Sequence, residues 1–354
     1  MQKKLIALGM ASVLAVPLAA QAGVEIYGQA RMSLDFNNNN DPVATNEDSV
    51  IAVSSNRSRI GFRGDEDLGG GLKALWQLEQ GVAFDTSTWG NEKRDSYIGL
   101  SGNFGTVLAG NLSTPYRVAT SGLDPFRSTR GDNNAIIGSL NGSTGWNDEN
   151  RAGNAVAYAS PDMSGFSAMA AYIMPSAATG DSLPMTTAAG DEGAYSLSGT
   201  YASGPIFVTA GYESWNALGV GGDDVSAWKI GGSYTLMEST TLGAIWESLD
   251  MGGTTGTDGE RDAWALSVKH KMSDITLIAA YAMADETGGV ADTGANQFSL
   301  GASYALSKTT EAYALYSMVG NDSAGGYSLD GVNGVVGQDV SSLSVGINHT
   351  FSSK

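Results

Sequence analysis

Arg57, Arg59 and Arg63 stand at alternate positions of a short extended run, with Gly61 among them and Ser58, Ile60 and Phe62 between. Residues two apart in a strand share a face, so this spacing puts three guanidiniums on one side and the apolar side chains on the other. If the arginine side met lipid near a bilayer midplane, each would cost about 2 to 4 kcal/mol, or roughly 6 to 12 for the three. The arginines must therefore face water. Arg31, between Ala30 and Met32, points the same way. Such a row holds no nucleophile and no proton-transfer group. It supplies a fixed positive field, which orients polar solutes and disfavours apolar ones when opposed across a pore.

Other chemistry is scarce. The chain of 354 residues has no cysteine and two histidines, His270 and His349. Disulfides and thiolate metal sites are excluded, and a multi-histidine centre is hard to assemble. His270, beside Val268 and Met272, is expected on a lipid-facing side, where it cannot serve a Ser/His/Asp site. The glycines of Leu218-Gly219-Val220-Gly221-Gly222 lead into a strand rather than a helix, which fails the context of a phosphate cradle. Asp258-Gly259-Glu260 lacks the ligand spacing of a calcium loop. A formal net charge of −18 repels the phosphate backbone that a nucleic-acid binder must attract. The residues thus point away from an enzyme, a cofactor, a metal centre and a nucleic-acid partner.

The elements that must position the arginines follow from hydrophobic periodicity. Gln2-Lys3-Lys4, the apolar run Leu5 to Ala20 and the small residues Ala20 and Ala22 form a secretory signal, expected to end at residue 22. No later run of about 18 apolar residues could make a membrane helix. From Gly23 to Lys354 the chain reads as one domain of period-two runs separated by Gly, Asp, Asn and Ser clusters. Phe298, Leu300, Ala302 and Tyr304 alternate with Ser299, Gly301 and Ser303; Leu343, Val345, Ile347, His349 and Phe351 alternate with Ser344, Gly346, Asn348 and Thr350. The exposed face of a soluble sandwich would carry Lys, Glu and Thr, whereas this second face is mainly Gly, Ser, Ala and Thr. Large apolar residues outward and small polar ones around a wet interior are what a membrane barrel requires. Sixteen such runs are predicted, the second over 54–64 and the last over 340–351. Short turns such as Ser273-Asp274 and Ser307-Lys308 alternate with long loops such as 176–192 and 320–339. Every proline after residue 22 falls in a loop, a turn or just outside a strand. The predicted fold is all-β: a 16-stranded antiparallel transmembrane β-barrel.

Several stretches carry a family likeness. The run from Ser58 to Lys73, Ser-Arg-Ile-Gly-Phe-Arg-Gly-Asp-Glu-Asp-Leu-Gly-Gly-Gly-Leu-Lys, resembles the Gram-negative general-diffusion porins. So do Tyr27-Gly28-Gln29-Ala30, Arg94 to Leu100 with Phe104-Gly105-Thr106, and Asn154 to Tyr158 with Ser160-Pro161 and Gly165-Phe166. The resemblance implies a homotrimeric outer-membrane channel whose third extracellular loop folds inward as the constriction. Its partners would be outer-membrane lipid and lipopolysaccharide, the barrel-assembly machinery acting on the C-terminal strand, and small hydrophilic solutes and ions. Arg59, Arg94 and Arg151 match the family's basic wall, to which Arg31, Arg57 and Arg63 add. Loop three, near 113–150, carries Asp124, Asp132, Asp148 and Glu149 against Arg117, Arg127 and Arg130. The function implied is passive diffusion, with a solute-specific porin holding an affinity site in the constriction as the alternative. The family ends on an aromatic residue, and here Ser352-Ser353-Lys354 follow Phe351, which is expected to be the effective end. The loops at 37–50, 176–192, 216–225, 250–262, 285–296 and 321–340 hold 18 acidic residues and one basic, Arg261. That acidic mouth predicts a modest cation preference in dilute salt, declining and able to invert toward molar salt as the mouth is screened.

Overall fold

A computed structural model of the protein describes residues 23–40, 49–138, 151–175, 193–216, 224–252 and 259–354. The expected signal segment 1–22, the loop at 176–192, the glycines at 219–222, Asp148, Glu149 and Asp258 lie outside the described residues.

The chain begins with β1 (Glu25–Asn38), β2 (Ser49–Ser55), β3 (Arg59–Gly69), β4 (Leu72–Ala83), β5 (Thr88–Gly102) and β6 (Gly105–Ser113). A short helix, α1 (Pro115–Ser121), and a 3-10 turn at Asn133–Ala135 precede β7 (Arg151–Ala159), β8 (Phe166–Ile173) and β9 (Ala194–Ser203). Then come β10 (Ile206–Trp215), β11 (Val225–Leu236), β12 (Thr240–Asp250) and β13 (Glu260–Met272). The last are β14 (Ile275–Ala284), β15 (Ala295–Ala305), β16 (Thr310–Asn321) and β17 (Val340–Ser352). All pairings are antiparallel, and β1 closes the sheet on β17 with Met32 opposite Ile347. Because β2 and β3 both pair with β1, they are two halves of one strand, and the closed barrel has sixteen.

That second strand spans 49–69 rather than the predicted 54–64, and it is broken at Asn56–Ser58. Ser54 lies opposite Ser33 and Arg59 opposite Gln29, so five steps on one strand match four on the other. The extra residue is a bulge, with Arg57 in the left-handed region at φ 52°. It switches the alternation, which lets Ser54 and Arg59 both face inward although their numbers differ by an odd count.

Large apolar side chains such as Leu343, Val345 and Ile347 are exposed on the outside, and the alternating Ser342 and Ser344 are buried. The outer face carries cross-strand aromatic pairs, Tyr172 with Tyr195 and Tyr212 with Trp228, at ring distances of 5.2 and 4.3 Å. Each such pair adds about 0.5 to 1.5 kcal/mol beyond area burial. At the seam, Phe351 lies over Gly28, where a Cβ would fall 2.3 Å from the ring. The ladder does not stop there as predicted. Ile26 N donates to Ser353 Oγ (3.0 Å) and Ser353 N donates to Ile26 O (2.9 Å), so the two serines extend the closure.

The apolar core sits inside the barrel, between its wall and the segment after β6. Thr114 caps α1 by accepting from Arg117 N (3.3 Å), and Pro115 opens the helix. Six of its residues, Pro115 to Thr120, are buried against β9, β10 and β11. Inner-wall glycines make the room: a Cβ on Gly211 would lie 3.2 Å from Ala119 Cβ, and one on Gly231 2.4 Å from Leu123 Cδ1. Beyond the helix, Leu123, Ile136 and Ile137 pack with Ile245 and Ala265 of the wall and with Tyr327 and Leu329 of the segment before β17.

Candidate functional site

Arg31, Arg57, Arg59, Arg63, Arg94 and Arg151 come together on one cavity of about 670 Å³. They arrive there from β1, the β2–β3 bulge, β3, β5 and β7. Arg117 and Arg127 of the segment after β6 join them, so eight arginines share this wall with three carboxylates, Glu25, Glu79 and Asp95.

Six of the eight guanidiniums have a partner near at hand. Arg63 donates through Nε and Nη2 to both oxygens of Glu25, each at 2.9 Å, and lies 4.6 Å above the Tyr27 ring. Arg94 donates to Glu79 and to Glu92, both at 2.5 Å. Glu79 also accepts from Tyr27 Oη (2.9 Å) and has Arg59 Nε at 3.6 Å. Arg151 Nε is 3.3 Å from Asp95, which also accepts from Ser113 N (2.6 Å). Arg57 reaches Asp330, ahead of β17, at 3.6 Å. Arg31 Nη1 donates to the carbonyls of Arg127 and Ser128, both at 2.8 Å, so the tip of the inner segment touches the arginine wall.

Among the described residues of that segment, the acids Asp124 and Asp132 do not line the arginine cavity. Asp124 accepts from Phe126 N (2.8 Å) and Asn133 N (3.1 Å), and Asp132 from Ser128 N (2.7 Å) and Asn134 N (3.1 Å). Both carboxyls shape the backbone of the segment. Burial, then the neighbouring Asp132, pushes the Asp124 carboxyl well above the usual carboxylate range. Arg130 turns away from the cavity to Asp35 (3.0 Å), Ser54 Oγ (2.6 Å) and the Asp330 carbonyl. Of the loop residues singled out from the sequence, Arg127 lines the cavity, Asp124, Arg130 and Asp132 brace the loop, and Asp148 and Glu149 lie outside the described residues.

A second cavity of about 730 Å³ also borders Arg31 and Arg127 and is lined by Lys269, Lys271, Glu238, Glu311 and several Ser and Thr residues.

Sequence reasoning missed the carboxylates Glu25, Glu79, Glu92 and Asp95, since it sought the opposing acids in the loop. It also placed Arg261 at an acidic mouth. The structure puts Arg261 in β13, fully buried and ion-paired with Glu247, because the strand continues past the point where its inward residues stop being small. The signal was present in Lys229 and Glu247, lone charges among Trp228, Ile230 and Trp246, which alternation sends inward and register sets opposite each other.

A family model described as Gram-negative porin matches residues 6–324. Major outer membrane protein P.IB of Neisseria gonorrhoeae is 35% identical over 177 residues, covering 49% of this chain and 48% of that protein. P.IA of Neisseria meningitidis serogroup C is 36% identical over 194 residues, with 49% and 46% covered. The chain spans about half the length of the curated relatives it matches. Among solved structures, an anion-selective porin from Comamonas acidovorans superposes with a TM-score of 0.80 at 25% identity, over 94% of this chain and 100% of that one. Salmonella typhi OmpF, in complex with daunomycin, shares the fold with a TM-score of 0.68 at 16% identity, over 93% and 98% of the two chains.

Proposed function

Since the chain belongs to the Gram-negative porins, we propose that it forms a water-filled outer-membrane channel for passive diffusion of ions and small hydrophilic solutes, with anions favoured at its narrow section. The observation that carries this is the cavity wall of eight arginines and three carboxylates inside a closed barrel whose outer face is apolar. The wall's own acids hold the guanidiniums in place without cancelling them. The likeness to the Comamonas acidovorans porin, which is anion-selective, supports the same sign.

The acidic mouth acts in the other direction and at longer range. Its charges are screened over about 10 Å at 0.1 M salt and about 3 Å at 1 M, whereas charges in a narrow, partly desolvated section are screened less. The mouth therefore collects cations in dilute salt, and the arginine wall dominates in concentrated salt.

The partners belong to the same proposal. Three copies form the working unit, lipopolysaccharide and phospholipid meet the apolar outer face, and the assembly machinery reads the last strand with Phe351 as its aromatic residue. No step of the reading needs a reaction, a cofactor or a metal. Planar-bilayer recording of the purified protein tests it: stepwise openings in units of three are expected, and a protein that inserts without conducting would refute it. Saturable block by one solute would favour the solute-specific alternative.

A further inference from the structure

Lys229, Glu247 and Arg261 lie on the adjacent strands β11, β12 and β13, and all three are fully buried. Other inner-face positions of the barrel wall that are just as buried are filled by serine, as at Ser317 and Ser344. Barrel closure therefore does not require buried charges, and burying charges is costly unless they are well paired. These three must hold something. Glu247 Oε2 accepts from Tyr116 Oη (2.9 Å) and Oε1 accepts from Gly138 N (2.7 Å), while Arg261 also donates to Oε1. Lys229 Nζ stands 3.4 Å from Glu247 and 4.3 Å above the Tyr116 ring. Arg261 Nη1 donates to Ile136 O at 2.7 Å. One carboxylate and its two cations thus grip the outgoing limb of loop three at Tyr116 and its returning limb at Ile136 and Gly138. None of the three lines either large cavity, so a solute does not meet them directly.

We infer that Glu247, supported by Lys229 and Arg261, is the positioning group that holds loop three against the inner wall and so sets the width of the channel. This rests on the channel reading above. Charge-assisted contacts to a single acceptor make the attachment dependent on that carboxylate.

Glu247→Gln keeps the size of the side chain and removes its charge. Loss of one member of a buried ion-paired group shifts the docking equilibrium by roughly a hundredfold or more. The expected readouts are a larger single-channel conductance, more open-channel noise and entry of larger neutral sugars in liposome swelling. Rescue distinguishes positioning from general damage. Ala119→Cys with Gly211→Cys would join α1 to β10, since a Cβ at 211 lies 3.2 Å from Ala119 Cβ, a small adjustment from the separation of about 3.5 to 4.5 Å in disulfides. The chain has no other cysteine to compete.

In the Glu247→Gln background the oxidised pair should restore wild-type conductance and sugar limit, and reduction should abolish the rescue. A heat-resistant Glu247→Gln barrel with wild-type conductance and sugar limit would overturn the inference, as would changes that the disulfide leaves in place. If Glu247→Gln yields no heat-resistant barrel, Tyr116→Phe decides. It removes only the loop's hydrogen bond and should raise the noise and the sugar limit, whereas wild-type behaviour would again overturn the inference. A wild-type protein that conducts nothing would instead refute the channel reading.

Discussion

The arginine wall is a matter of single residues and their neighbours. Arg59 is held by Glu79 at 3.6 Å, whereas Arg94 has two carboxylates at 2.5 Å, so Arg59 keeps more of its field for the lumen. Replacing Arg59, Arg94 and Arg151 together by Ser should enlarge single-channel conductance and move the reversal potential toward cations. Equal values for variant and wild type would show that these residues do not line the narrowest section. Asp124 gives a pH dependence of definite sign. Its folded-state pKa is raised, so its contribution to the docked loop is present in full below the ordinary carboxylate range and is lost as pH rises through the raised value. Open-channel noise should therefore grow toward alkaline buffer, and Asp124→Asn, a neutral stand-in for the protonated acid, should flatten the profile. A wild-type profile that falls with rising pH would contradict this assignment. Arg31, Arg57, Arg59 and Arg63 were legible as water-facing because strand parity and the cost of charge in lipid act on any sequence, whereas Arg94 and Arg151 entered through the family likeness. Their acidic partners were not, since Glu25 with Arg63 and Glu79 with Arg94 meet only once strand pairing is known.

At the scale of elements, alternation located most strands within two residues and failed where the chain departs from it. The bulge at Asn56–Ser58 needs only one residue in the left-handed region, and an arginine there leaves no glycine to betray it. Helix α1 was unread because seven residues are too few to show a period, although Thr114-Pro115 is a start signal in retrospect. The glycines opposite it, Gly211 and Gly231, read as ordinary small inward residues until a helix is seen to occupy the space they leave. The seam makes the element-scale prediction. Truncating a fully buried Phe costs about 3 to 5 kcal/mol; Phe351 is 38% exposed but covers Gly28, so Phe351→Ala should fall near the lower end. Deleting residues 352–354 removes the two Ile26 contacts and should cost less, because they lie at an exposed end of the ladder. Heat-resistant oligomer on gels should thus survive the deletion better than the substitution, and the opposite ranking would mean that the serines, not the aromatic ring, close the barrel.

For the whole molecule, the proposed selectivity rests on two charge distributions of opposite sign in series, acidic loops and an arginine wall. The acidic loops read from the sequence are proposed to face one mouth, and the arginines gather where the inner segment touches Arg31. The barrel class was readable from the outward apolar face alone. The sign of the interior was not, because it depends on Asp124 and Asp132 turning into their own loop and on Arg127 turning out of it. The zero-current potential of the purified channel across a KCl gradient, recorded from molar to dilute salt, tests this arrangement most directly. An anion-preferring potential is expected near 1 M, moving steadily toward cation preference in dilute salt as the mouth charges lose their screening. A cation-preferring potential at molar salt would contradict it, since the arginine wall would then not govern the narrow section.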